Sequence, residues 1–249
     1  MKINFLDLTV NAYNWQSRRK LEKIAELDIR HKRIKENLYE INPLIQIKTA
    51  KELFPWIDLD DNEFRQQWEF KGLDLKGYFD YTNRILISVT RYNEPGFNVI
   101  FPFYCYKEDG KGPFPVLVDR GWFPDYWNDK FDKAAKANSH IEENIIGVLY
   151  KGDKKNQFSQ ENDLKNNKFF TQRPEEIAKI LNLDNYEICS KFIVKERKTE
   201  DYKKIYPQKV NINELMFTQI SPQKHQEYAY FWFFVSSLNL ATNVYVWLI

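Results

Sequence analysis

The sequence predicts a mainly β protein: a small antiparallel β-barrel or curved-sheet domain with an N-terminal helix, one inserted helix and a C-terminal transmembrane helix. Three observations carry this expectation. A basic stretch near the start has helical spacing. A long central stretch alternates with period two between turn-forming residues. The last 22 residues, Tyr228–Ile249, carry no charge. The implied division is an N-terminal segment 1–42, a β-domain 43–221 and a terminal helix 222–249.

From Trp15 to about Leu38, Leu21, Ile24, Leu27 and Ile34 recur near i, i+3, i+4 spacing, with Lys and Arg on the other faces, so a helix is expected. Arg18, Arg19, Lys20 and Lys23 read first as a solvated face and, more sharply, as a juxtamembrane segment meeting anionic head groups. Asn42-Pro43 closes the unit. From Trp68 the period becomes two. Trp68–Tyr81, Ile85–Tyr92, Phe97–Lys107, Phe114–Phe123, Asn144–Lys151 and Ile188–Lys195 are β-branched and aromatic runs. Asn83, Glu94-Pro95-Gly96 and Asp109-Gly110-Lys111-Gly112-Pro113 punctuate them with turn chemistry, and connections this short favour antiparallel neighbours. Pro174, Glu175 and Glu176 open the inserted helix, Glu175–Leu183, with a proline and two acids at its positive end.

The charge-free C-terminus would span about 33 Å as a helix at ~1.5 Å per residue, close to a hydrocarbon core of roughly 30 Å. Lys224, His225 and Glu227 form a polar collar at its entrance, followed by an aromatic belt of Tyr228, Tyr230 and Trp232. Ser236, Ser237, Asn239 and Asn243 fall roughly on one face, which suits packing against protein.

Composition narrows the function. With 37 basic and 35 acidic residues the formal charge is +2, which gives no case for nucleic-acid binding. Cys105 and Cys189 are too few and too far apart for a disulfide scaffold or a four-cysteine zinc site. Met1–Trp15 is broken by Lys2, Asp7, Asn11 and Asn14, unlike a secretory signal. Neither GxGxxG, a phosphate loop, GxSxG nor HExxH occurs, and His31, His140 and His225 are scattered. An enzyme is not expected.

Several segments, in order, resemble the surfeit locus protein one family of cytochrome c oxidase assembly factors. They are Trp15-Gln16-x-Arg18-Arg19-Lys20; Trp68–Tyr81 with Gly77-x-Phe79-Asp80; Gly96-Phe97-x-Val99-Ile100-x-Pro102-Phe103; Val116-Leu117-Val118-Asp119-Arg120-Gly121-Trp122-Phe123-Pro124; Gly147-Val148-Leu149; Phe158-x-x-Glu161-Asn162-Asp163; and His225-x-x-Tyr228-Ala229-x-x-Trp232. The nine-residue run from Val116 is the most specific of them. The motif residues singled out are Trp15, Gln16, Arg18, Val118, Arg120, Gly121, Trp122 and Pro124.

The resemblance implies a membrane-anchored accessory factor that associates with the oxidase core subunits, above all subunit one, during haem a insertion. It implies residence in the mitochondrial inner membrane with the β-domain in the intermembrane space, or in a bacterial inner membrane with a periplasmic domain. His225 occupies the position at which some family members ligate haem a, and Tyr228 and Trp232 would cover a porphyrin face. The alternative for His225 is an interfacial anchor. Arg120 has two readings, a partner for a carboxylate or propionate, or part of a strand-end turn with Gly121 at an unusual backbone angle. Where the family has a first membrane helix, only Met1–Asn14 precedes Trp15. This leaves room for a separate chain supplying that helix. It also opens a second reading, a permanent structural subunit of the oxidase that binds no haem.

Overall fold

The computed structural model describes residues 5–39, 45–46, 59–91, 93–106, 113–131, 141–155, 159–184, 186–197, 206–211, 215 and 222–248. The chain divides into two units: residues 37–214, and a unit made of residues 1–36 with 215–249.

The first unit is a barrel. Its elements are β1 (Ile45–Gln46), α2 (Asp61–Gln67), β2 (Gly72–Phe79), β3 (Ile85–Arg91), β4 (Glu94–Cys105), β5 (Phe114–Pro124), a 3₁₀ turn (Asp125–Trp127), β6 (Glu142–Tyr150), α3 (Pro174–Ile180), α4 (Tyr186–Cys189) and β7 (Ile193–Glu196). The sheet runs β1-β2-β6-β7-β5-β4-β3, and a further β2–β4 pairing closes β2, β6, β7, β5 and β4 into a five-stranded ring. Closure leaves the ring without an open edge.

The core has two layers because both faces of the central strands are covered. Val99, Phe101 and Phe103 of β4, Val116 and Val118 of β5 and Val194 of β7 belong to one cluster, which Phe64, Phe131 and Phe192 join. Their neighbours Ile100, Leu117 and Ile193 belong to a second, with Ile177, Ala178, Cys189 and Phe169 from the segments outside the ring. Strands buried on both faces read as unbroken apolar runs, which is why Ile100–Cys105 and Phe114–Val118 show little alternation. Gly77 lets β2 and β4 approach: a Cβ there would lie 2.1 Å from the Tyr104 carbonyl oxygen.

Helix α2 begins at a capping box in which the Asp60 carboxylate accepts from Asn62 and Glu63 backbone amides, and Glu63 reaches back to the Asp60 amide. The expected strand from Trp68 therefore starts only at Gly72. Likewise Ile188 and Cys189 lie in α4, and the final strand starts at Ile193.

Two expectations about architecture need correction. The sheet is not wholly antiparallel: β5 pairs β7 in parallel through Val118 with Val194 and Asp119 with Lys195, and β1 pairs β2 in parallel. A long connection carrying α3 and α4 makes the β6–β7 return and lets β7 enter beside β5. Helices are also more numerous than the single insertion expected, so the fold is mixed α/β around a five-stranded barrel.

The second unit holds α1 (Phe5–Tyr39) and α5 (Pro222–Leu248). Leu27, Ile34 and Leu215 are buried in it. Helix α5 has the length expected of a span. Among the described residues, however, no helix is long and apolar enough to cross a membrane. The physical reason is composition: Ser236, Ser237, Asn239, Thr242 and Asn243, with the tyrosines and tryptophans, lower the mean hydropathy that length alone would promise.

Candidate functional site

Arg120 sits at a bulge. Val99 of β4 faces Gly121 and Ile100 faces Asp119, so Arg120 is the extra residue on β5. Its Nε donates to Glu196 Oε2 at 3.1 Å and its Nη2 to Glu143 Oε2 at 3.1 Å, while Nη1 donates to the Tyr81 hydroxyl. The Tyr81 hydroxyl donates in turn to Glu143 Oε1 at 3.0 Å. The guanidinium lies 4.2 Å from the centre of the Phe79 ring, and Lys209 Nζ contacts the other Glu196 oxygen at 2.5 Å. Two carboxylates and two cations thus neutralise one another around a side chain that is 15% exposed. Burial works against the Arg120 charge, but Glu196, Tyr81 and Glu143 outweigh it and raise its pKa. Burial pushes the Tyr81 phenol well above its ordinary range, opposed by Arg120 and aided by Glu143.

The residues flanking Arg120 hold the bulge. Gly121 has φ of +118°, and a Cβ there would lie 2.0 Å from the Gln208 carbonyl oxygen. Its amide donates to Asp119 Oδ1 at 3.0 Å. The other Asp119 oxygen accepts from Gln172 Nε2 at 2.7 Å and from Lys195 Nζ at 3.2 Å. Trp122 is buried, donates from Nε1 to the Val89 carbonyl at 3.2 Å, and exchanges backbone bonds with Gln208. Val118 is fully buried in the barrel, and Pro124 ends β5 opposite Gly96. The nine-residue run is therefore an internally saturated corner in this structure.

The haem candidates lie elsewhere, on α5. Tyr228 and Trp232 are 51% and 50% exposed. With Glu227 and Phe231 they line a concavity of about 360 Å³. His225 lies in the first turn of the helix, and its side chain is outside the described residues. The Ser237 hydroxyl donates to the Phe233 carbonyl at 2.9 Å, so one member of the polar stripe folds back on its own helix, as does Thr242 outside the stripe, whose hydroxyl donates to the Leu238 carbonyl at 2.9 Å. On α1, Trp15 is exposed with Arg19 4.5 Å above its ring; Arg18 is exposed, and the Gln16 side chain is outside the described residues.

Sequence reading missed Tyr81, Glu143 and Glu196 as partners of Arg120, and Lys209 as the second cation on Glu196. No local pattern could have found them, because Tyr81 lies in the turn after β2 and Glu143 and Glu196 stand 23 and 76 positions from Arg120. Among the described residues, no group of three His, Cys, Asp or Glu side chains is arranged to hold a metal ion.

The SURF1 family profile matches residues 9–237. The chain is 22% identical to Surfeit locus protein 1 of Arabidopsis thaliana, over 92% of this chain and 72% of that protein. It is 28% identical to the SURF1-like protein of Rickettsia prowazekii (strain Madrid E), over 94% of this chain and 84% of that protein. It is also 28% identical to Surfeit locus protein 1 of Gallus gallus, over 50% of this chain and 43% of that protein. With the profile covering most of its length, the chain belongs to the SURF1 family, whose members are in general cytochrome oxidase assembly factors rather than enzymes.

Proposed function

We propose that this protein assists assembly of cytochrome c oxidase by handling haem a, or the subunit one site that receives it, on the exposed aromatic face of α5. The observation that carries this reading is the apolar concavity formed by Tyr228, Phe231 and Trp232. Soluble domains rarely leave so much aromatic surface uncovered without a partner for it. Haem a would be cargo here. The residues fit it: three rings offer faces for a macrocycle, and His225, three positions before Tyr228, supplies the imidazole type that ligates haem iron. Glu227 repels propionates, so the propionate edge would point away from that carboxylate. The barrel supplies a rigid body and, through the balanced charges at Arg120, no competing anion site at that corner. The setting that follows is the inner membrane of a mitochondrion, with the barrel in the intermembrane space, or a bacterial inner membrane.

Deleting the gene and measuring assembled oxidase by its reduced haem a absorbance tests the reading. Loss of that band with b-type and c-type haems retained is expected. Full oxidase in the deletion strain overturns it. Haem a absorbance on the purified chain that disappears in His225→Ala assigns the cargo to the chain itself. Oxidase loss without such absorbance leaves subunit one as the bound species.

A further inference from the structure

A cleft of about 580 Å³ opens within the barrel unit, far in sequence from α5 and distinct from the Arg120 corner. Its walls are the first turns of α2, the stretch Lys151–Lys155 that follows β6, and the start of α3. Hydrogen bonds fix those walls: the Asp153 amide donates to the Gln172 carbonyl at 2.8 Å, and the Gln172 amide to Asp153 Oδ2 at 2.7 Å. Gly152 makes the approach possible, since a Cβ there would lie 2.6 Å from the Gln172 carbonyl oxygen and from Pro174 Cδ.

The deepest charged groups in this cleft are cations. The side chains of Lys151, Arg173 and Arg65 are 5%, 13% and 14% exposed, whereas the carboxylates of Asp61 and Glu161 are 71% and 59% exposed. Lys151 is occupied by Asp61 at 2.8 Å and the Lys191 carbonyl at 3.0 Å. Arg65 is occupied by Glu69 and the Gly152 carbonyl. Arg173 is different. Its Nη1 alone takes both carboxylates, Glu161 at 2.8 Å and Glu176 at 2.9 Å. Among the described residues three buried side-chain polar atoms lack a hydrogen-bond partner, and two of them are Nε and Nη2 of Arg173.

That pairing has chemical meaning. Nε and Nη2 share one edge of the guanidinium, and two parallel N–H groups on one edge match two oxygens of a carboxylate or phosphate. Buried donors left unmatched are costly, so an edge of this kind calls for an acceptor, even in a cleft lined by five acidic and five basic side chains. We propose that the cleft binds a small oxyanion, a phosphate or carboxylate group, bidentately on the Nε–Nη2 edge of Arg173. Lys151 and Arg65 flank the site, each paired with its own carboxylate, and exposed Glu161 competes at the mouth. The edge is buried in this structure, so entry requires the side chains around Arg173 to move; Glu161, bonded to Nη1 and held by Lys155 at 2.6 Å, is the exposed one among its partners.

The test uses the purified full chain and inorganic phosphate, with sodium chloride at matched ionic strength. A saturable rise in Tm with phosphate is expected, because a ligand that binds only the folded state stabilises it. Arg173→Lys keeps the charge and loses the fork, and should weaken the apparent affinity about tenfold, as loss of charge-assisted hydrogen bonds does. Glu161→Gln removes the competitor and frees Nη1; it should tighten phosphate about threefold, the size of an exposed ion pair. This opposite sign keeps the test decisive if Arg173→Lys folds poorly. Phosphatidylglycerol vesicles against phosphatidylcholine vesicles form a second arm. Arg173-dependent binding to the former without an effect of free phosphate assigns the site to a lipid head group. A Tm rise equal in chloride, or unaltered in both variants, shows screening by an adventitious ion only and overturns the proposal.

Discussion

The Arg120 corner and the α5 aromatic face are two regions rich in the same residue types, and the chain treats them in opposite ways. At the corner, Arg120 finds Glu196, Glu143 and Tyr81 within the barrel, and Glu196 is 2% exposed. On α5, Tyr228, Tyr230, Phe231, Trp232, Phe233 and Phe234 are each roughly half exposed or more. The first region is completed by its own chain; the second offers surface to something else. The most family-specific motif is thus built as scaffold, and the function proposed above assigns recognition to the less specific helix.

The largest effect that could break this contrast is at Arg120. Arg120→Ala leaves Glu196 only Lys209 and Glu143 only the Tyr81 hydroxyl beside buried aromatics, and should destabilise the barrel by about 3 kcal/mol in urea unfolding. Wild-type stability in that variant would mean that the corner is not structural. Gly121→Ala follows, at about 1–3 kcal/mol, because alanine must take a positive φ and its Cβ meets Gln208. Phe231→Ser with Trp232→Ser should leave barrel stability within about 0.5 kcal/mol, as exposed positions do.

Two smaller effects sharpen the picture of a closed barrel. Cys105 and Cys189 are free and 1% exposed; burial raises both thiols, Cys189 to about 12, so neither should react with an alkylating reagent at pH 8 until the protein is unfolded. Rapid native labelling would show that α4 opens. Smallest is the pH effect of Glu161, which hydrogen bonds from Lys155 and Arg173 hold at about 2. A depressed carboxylate contributes stability above its unfolded pKa of about 4.3 and loses it as pH falls towards 2. Glu161→Gln should therefore flatten the acid side of the Tm profile over that window, and an unchanged profile would remove the ion pair from the account.

These contrasts were unevenly legible in the sequence. β4 and β5 could be read because both faces are apolar and the turns between strands are polar. Helix α2 was readable but overlooked, since Asp60-x-x-Glu63 is the capping-box spacing. The parallel β5–β7 pairing could not be read: Val118 and Val194 meet across a connection whose length says nothing about direction. The Arg120 partners lie 39, 23 and 76 positions away, beyond any local pattern. The terminal helix satisfied the length rule while its serines and asparagines defeated the hydropathy rule, and those two signals have different physical content: one counts residues, the other their transfer free energy.

The central claim, that function resides on the α5 face while the signature corner is scaffold, is tested most directly by complementing a deletion strain with the Phe231→Ser, Trp232→Ser double variant and measuring the reduced haem a band per amount of folded protein. A chain with wild-type Tm that restores less than about a tenth of the oxidase is expected, since desolvated aromatic anchors carry most of a binding surface's energy. Full restoration of the band by that variant would contradict it.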